Sequence, residues 1–279
     1  MKLPGVMRFS VSTWLIALLM LSGCANSGKH ADELAQSAHL KHELVPTDSF
    51  VLTSYYRMSR PDLPLNFYIE GDGRAWQSRT SPSADPTPRK AMGLALAAQD
   101  PTANVVYLAR PCQFTPMQQN PRCSSAYWTG KRYSEDVVAA MNQAVSHFAA
   151  AGQAVNLVGY SGGGALAVLI AARRSDVASI RTVAGNLDHA AVNRLHGVSA
   201  MPESMNAIDV AQQVAAIAQL HFSGSDDQVV PPGIAKRFVT ATNNSCASHI
   251  VVPKMSHESD WAQRWPALLA ITPTCRAKH

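Results

Sequence analysis

The sequence has 279 residues, 47 % of them apolar and only 15 % charged. That balance can fill one large core and excludes a disordered chain, which needs few apolar and many charged residues. The net charge of +5 is spread thinly, with Lys and Arg scattered and never run together as a basic block, so no nucleic-acid partner is expected.

The chain starts with Lys2 and Arg8 around a short positive segment, and residues 9–21 follow as an apolar run too short to span a bilayer comfortably. The run ends in Leu21-Ser22-Gly23-Cys24, which resembles the lipobox of bacterial lipoproteins. That resemblance implies a signal peptide over 1–23, cleavage after Gly23 and lipidation of Cys24. An ordinary signal peptide with a chance cysteine is the first alternative, and a membrane-spanning anchor the second. More than one acyl chain on Cys24 would make a stable membrane partner, each buried methylene adding about 0.8 kcal/mol. Ala25, where an Asp would favour retention at the inner membrane, implies the bacterial cell envelope and the periplasmic face of the outer membrane. Cleavage removes two bases and no acid, so the mature chain carries 24 − 2 = 22 basic and 19 acidic side chains, a net of +3. Residues 24–38 are small and polar and read as the lipidated cysteine and its tether. The folded domain is then 39–279.

From there the pattern becomes regular. Residues 39–60, with Phe50-Val51-Leu52 and Tyr55-Tyr56, suit antiparallel edge strands. Short apolar runs at 65–69, 105–108, 155–160, 180–184, 220–222 and 250–252 are bounded by turn residues, as buried strands are. Longer segments of helical character lie between and after them, at 92–99, 133–151, 163–174, 234–241 and 261–270. Ser134, Glu135 and Asp136 place a hydroxyl and two carboxylates where a helix N-terminus favours them. Such alternation predicts an α/β fold with a mostly parallel central sheet covered by helices on both faces. Two stretches break it, 110–130 and 185–209. Both read as loop-like insertions, either walls of a pocket or plain surface loops.

Beyond the anchor, four cysteines remain: Cys112, Cys123, Cys246 and Cys275. An even set in an exported protein points to disulfides, and four cysteines allow three connectivities. Pairing nearest neighbours, Cys112 with Cys123 and Cys246 with Cys275, closes a proline-bearing loop and staples the C-terminal tail, each bridge contributing about 3 kcal/mol by loop entropy. Free core thiols are the alternative. A zinc site is disfavoured, because no CxxC pair is present.

The chemistry concentrates in Gly159-Tyr160-Ser161-Gly162-Gly163, which follows an apolar strand and opens a helix. No Lys-Ser/Thr follows, as a phosphate loop requires, and Ser161 stands where a dinucleotide fingerprint needs glycine. In this setting the sequence resembles the α/β-hydrolase family, whose G-x-S-x-G elbow exposes a nucleophilic serine on a strained turn. The resemblance, over about residues 40–270, implies the α/β-hydrolase fold with Ser161 as nucleophile, followed in order by an acid and a histidine.

Gly224-Ser225-Asp226-Asp227-Gln228-Val229-Val230-Pro231 resembles the family's acid loop, and its register selects Asp227, with Asp226 next and Asp188 third. Of ten histidines only His257 lies past the final strand, 30 residues beyond Asp227. His221 and His249 sit in strand-like runs, His147 in a helix, and His30, His39, His42 and His279 near the ends. His189 and His196 precede the acid and break the family order. A serine hydroxyl is a poor nucleophile near neutrality, so neutral His257 would take its proton while Asp227 fixes the tautomer. The oxyanion would meet the Gly162 amide and a second donor from Glu70-Gly71-Asp72-Gly73-Arg74-Ala75-Trp76. This stretch resembles the family's His-Gly oxyanion loop, with Glu70 in place of His, Asp72 giving the amide and Gly71 allowing the turn. An acidic metal loop is the weaker reading of Glu70 and Asp72, so no metal and no cofactor are expected.

Only 66 residues separate Ser161 from Asp227, which leaves room for a small cap and a fairly open site. The expected activity is hydrolysis of small or moderately apolar carboxylic esters by a lipid-anchored monomer. The rivals are a non-catalytic binding or scaffold protein with the hydrolase fold, and an acyltransferase.

Overall fold

The computed structural model describes residues 27–275. The proposed signal peptide, the lipobox and Cys24 lie outside the described residues. The description starts in a helix, α1, over residues 27–37. Read from sequence as tether, these residues instead pack on the domain. Ala31 and Ala35 are buried with Leu40 and Tyr55, and the Tyr55 hydroxyl donates to Asp32 at 2.7 Å. Ala31 and Ala35, spaced four apart, lie on one helix face, and their small side chains let it approach closely.

Eight strands form one sheet in the order β1-β2-β4-β3-β5-β6-β7-β8. They are β1 (Lys41–Pro46), β2 (Val51–Met58), β3 (Leu65–Ile69), β4 (Asn104–Leu108), β5 (Val155–Tyr160), β6 (Val177–Val183), β7 (Ala218–Gly224) and β8 (Ala247–Val252). β2 runs antiparallel to β1 and β4, and β3 to β8 are mutually parallel. The α/β reading with antiparallel strands at one edge holds.

The helices are α2 (Met92–Ala98), α3 (Glu135–Phe148), α4 (Gly162–Ala171), α5 (His189–His196), α6 (Pro232–Thr242) and α7 (Trp261–Leu269). Side chains alternate faces along each strand. Phe67, Ile69 and Leu157 enter a core with α3, α4 and α6, whereas Tyr68 and Val158 enter a second core with α1, α2 and α7. Both faces are covered, and every residue of α4 is buried. All the parallel strands end at the same edge, where loops meet and chemistry collects in open α/β sheets.

Both irregular stretches carry structure. Residues 185–209 hold α5, missed because its sequence is short and polar; Asp188 caps it by accepting from the Ala191 amide, and Gly197 ends it at φ 61°. Residues 110–130 are closed by a disulfide between Cys112 and Cys123, and a second joins Cys246 to Cys275. Both are nearest-neighbour pairings. Ser134 precedes α3, but its hydroxyl turns to the Asp136 carboxylate rather than to a helix amide.

Candidate active site

Ser161 stands between β5 and α4 at φ 51°, ψ −119°, a conformation costly for any residue with a Cβ. The surroundings enforce it. Its amide donates to the Val183 carbonyl at 2.9 Å, and its own carbonyl accepts from Gly164 and Asn186. The flanking glycines are there for space: a Cβ on Gly159 would lie 2.2 Å from the Gly163 carbonyl oxygen, and one on Gly163 would lie 2.3 Å from that of Ile69.

Asp227 follows β7 with its side chain fully enclosed. One carboxylate oxygen accepts from the amides of Val229 and Val230, at 2.9 and 2.8 Å. The other lies 2.9 Å from Nδ1 of His257. Nε2 of the same ring lies 2.9 Å from Ser161 Oγ. His257 is aimed by its neighbours, since its carbonyl accepts from the Tyr160 hydroxyl and the Trp261 indole. The three residues chosen from sequence thus form one hydrogen-bonded chain.

The residues ranked below them are elsewhere. Asp226 is exposed and bonded to the Ser225 hydroxyl. Asp188 caps α5 and meets Asn206 and Arg237. His221 is wholly buried, 2.9 Å from the Thr182 hydroxyl, and burial pushes its pKa down to about 3.

On the other side of Ser161 the loop after β3 begins with Glu70. Its buried carboxylate accepts from the amides of Gly71 and Gly93 and from the Tyr107 hydroxyl, and burial raises its pKa despite those donors. Gly71 is pressed close, a Cβ there falling 3.3 Å from that of Ser161. Among the described residues the amides of Asp72 and Gly162 find no partner; Gly162 follows the serine directly, and Asp72 lines the same cleft.

The Asp72 side chain has a separate occupation that sequence reasoning missed. It is ion-paired with Arg110 and, at 2.9 Å, with Arg132, and the Tyr133 hydroxyl approaches at 3.3 Å. Burial pushes the Asp72 carboxyl up, but the two guanidiniums outweigh it and hold the pKa at about 2. The carboxylate also lies against α4, where a Cβ on Gly162 would fall 2.2 Å from its oxygen. Gln113 braces the same loop, donating to the Gly71 carbonyl at 3.0 Å, while its own carbonyl accepts from the Arg110 amide. The one sequence hint was position: Arg110 comes two residues after β4, and Arg132-Tyr133 just before the Ser134 that precedes α3.

Ser161 and His257 open into a cleft of about 640 Å³. Its far wall is residues 70–76 and 88–92, and neither irregular stretch, 110–130 or 185–209, contributes a lining residue. The first braces Asp72 from behind, and the second lines a separate pocket of about 270 Å³ around His189. Among the described residues no group of three or more His, Cys, Asp or Glu could hold a metal.

Fold and site together define a serine hydrolase of the α/β-hydrolase superfamily. Residues 89–258 match the family model described as Serine hydrolase (FSH1), and the chain belongs to that family. No curated protein matches it. Solved structures share the fold at low identity. An alpha-beta serine hydrolase homologue from Coxiella burnetii superposes with a TM-score of 0.58 at 16 % identity, over 82 % of this chain and 96 % of the other. The esterase domain of a Rhodothermus marinus protein gives 0.54 at 16 %, over 83 % and 96 %. Est1E from Butyrivibrio proteoclasticus gives 0.53 at 13 %, over 82 % and 97 %.

Proposed function

We propose that the chain hydrolyses carboxylic esters through an acyl-enzyme on Ser161, His257 and Asp227. The observation that carries this reading is the unbroken chain of contacts, Ser161 Oγ to His257 Nε2 and His257 Nδ1 to Asp227, each 2.9 Å long. Neutral His257 accepts the serine proton as Oγ attacks the acyl carbon, and Asp227 stabilises the imidazolium that results. The oxyanion takes hydrogen bonds from the Asp72 and Gly162 amides. The leaving alcohol then receives the proton from His257, and water repeats the sequence on the acyl-enzyme to release the acid.

A fluorophosphonate probe tests this directly. It labels the folded wild-type chain and leaves Ser161→Ala unlabelled, with turnover of butyrate esters lost in parallel. A folded wild-type chain that takes no label is a binding or scaffold protein instead. Product analysis with an added acceptor alcohol separates hydrolysis from acyl transfer, since a transferase yields the new ester in place of the free acid.

The same proposal includes lipid anchoring at Cys24 in the bacterial envelope, supported by Leu21-Ser22-Gly23-Cys24 behind the apolar run. Since α1 already packs on the domain at Ala31, the domain would sit close to the lipid surface. Mass spectrometry of the mature N-terminus is the check, and Cys24→Ser should abolish both cleavage after Gly23 and membrane recovery.

A further inference from the structure

The cleft wall formed by the loop between β3 and α2 carries three cations that the chain does not neutralise. Arg74, Arg89 and Lys90 line the same cleft as Ser161 and His257, and all three are exposed. Among the described residues none of them enters an ion pair or a side-chain hydrogen bond. They converge because the loop folds back on itself. The Arg74 amide donates to the Pro86 carbonyl at 2.9 Å, and Gly73, at φ 65°, runs so close that a Cβ would meet that carbonyl at 2.1 Å. The two limbs of the loop are thereby held side by side.

The acids lining the cleft do not cancel this charge. Glu70 is enclosed and bound by amides, and Asp72 is already shared by Arg110 and Arg132. Glu258 remains, exposed beside His257. On the cationic wall Trp76, 45 % exposed, presents an apolar surface. Unpaired cations grouped in a cleft raise the local concentration of anionic ligands, an effect that weakens as salt rises.

From this arrangement, and resting on the ester-hydrolase reading above, we infer that the cleft selects esters bearing a carboxylate or phosphate away from the bond cleaved. Arg74, Arg89 and Lys90 hold that anion, and Trp76 covers the apolar part of the substrate. The chemical step is unchanged: Ser161 Oγ bonds to the acyl carbon, the alkoxy group leaves with the proton from His257, and water hydrolyses the acyl-enzyme.

The test compares, on the full chain, the p-nitrophenyl monoester of glutaric acid with neutral p-nitrophenyl butyrate. A second arm compares vesicles of phosphatidylglycerol with vesicles of phosphatidylcholine. At low ionic strength kcat/KM favours the anionic member by about tenfold, and the preference shrinks toward unity near 1 M salt. Preference in the first arm assigns a soluble anionic ester, and preference in the vesicle arm alone assigns a lipid headgroup. In the double variant Arg89→Glu, Lys90→Glu the ratio of anionic to neutral kcat/KM falls at least tenfold. Lys41→Glu, at the opposite edge of the sheet, leaves that ratio as it is. Equal or faster cleavage of the neutral member in both arms, or an unchanged ratio in the double variant, overturns the inference while the ester-hydrolase reading stands. A chain that takes no fluorophosphonate label and cleaves no ester removes both.

Discussion

Ser161 and Asp227 are placed by backbone hydrogen bonds, whereas the opposite wall of the cleft is placed by side chains arriving from distant parts of the chain. The serine is fixed by a turn whose amide and carbonyl are both bonded, and the aspartate by two amides of its own loop. Asp72, by contrast, depends on Arg110 and Arg132, and its loop on Gln113. Backbone placement uses amides and carbonyls that every residue type but proline supplies, so it tolerates side-chain change in the residues that provide them. Side-chain placement couples the loop after β3 to a segment that is itself closed by a disulfide. A damaged brace should therefore affect turnover and stability together, while damage to the serine should affect turnover alone.

The largest effect separates these two outcomes at once. Ser161→Ala loses about 10⁴-fold or more in kcat with the thermal midpoint preserved, and Asp227→Asn loses about 10⁴-fold because the tautomer is no longer fixed. Steady-state kinetics beside calorimetry checks both; a large fall in midpoint for Ser161→Ala would erase the distinction between the walls.

Asp72→Asn comes next. It strands Arg110 and Arg132 without a counter-charge and should cost about 4 kcal/mol of stability, together with a drop in kcat as the loop loses its hold. The pH dependence has a definite sign. The folded carboxyl titrates at about 2 rather than 3.8, so its stabilisation is complete above the unfolded value and is lost as pH falls through about 2. Denaturant titrations of wild type and variant should converge in that window, and a gap that stays constant down to pH 2 would remove the ion pairs from the account.

Opening the 112–123 bridge with the double variant Cys112→Ser, Cys123→Ser should cost about 3 kcal/mol by loop entropy. If the segment braces Asp72, ester turnover falls as well, whereas an inert surface loop would change the melting curve only. Gln113→Ala is the mildest, about 1 kcal/mol for a hydrogen bond lost from the Gly71 carbonyl, with a few-fold fall in kcat and little change in KM.

Sequence periodicity was enough for the sheet and for five of its helices, α2, α3, α4, α6 and α7, because buried strands must be short apolar runs wherever both faces are covered. α1 escaped it: Ala31 and Ala35 carry no strong hydropathy signal, and only their burial beside Tyr55 shows that the segment belongs to the domain. α5 escaped for a similar reason, its His, Asn and Arg side chains looking like loop. Of the two readings open for 110–130 and 185–209, the pocket wall is not the one the structure takes at the Ser161 cleft, and residues 70–76 and 88–92 form the cleft wall instead.

The amino-acid sequence by itself determined the strand order in time, the elbow at Ser161 and the acid and histidine that follow it. Those features depend on neighbours within a few residues, where glycine, strand and turn leave a readable pattern. Which cations would line the cleft, and which arginines would hold Asp72, was decided only in three dimensions. Arg110 and Arg132 reach Asp72 across 38 and 60 residues of chain, and an ion pair formed over such a span leaves no periodicity or spacing in the sequence to mark it.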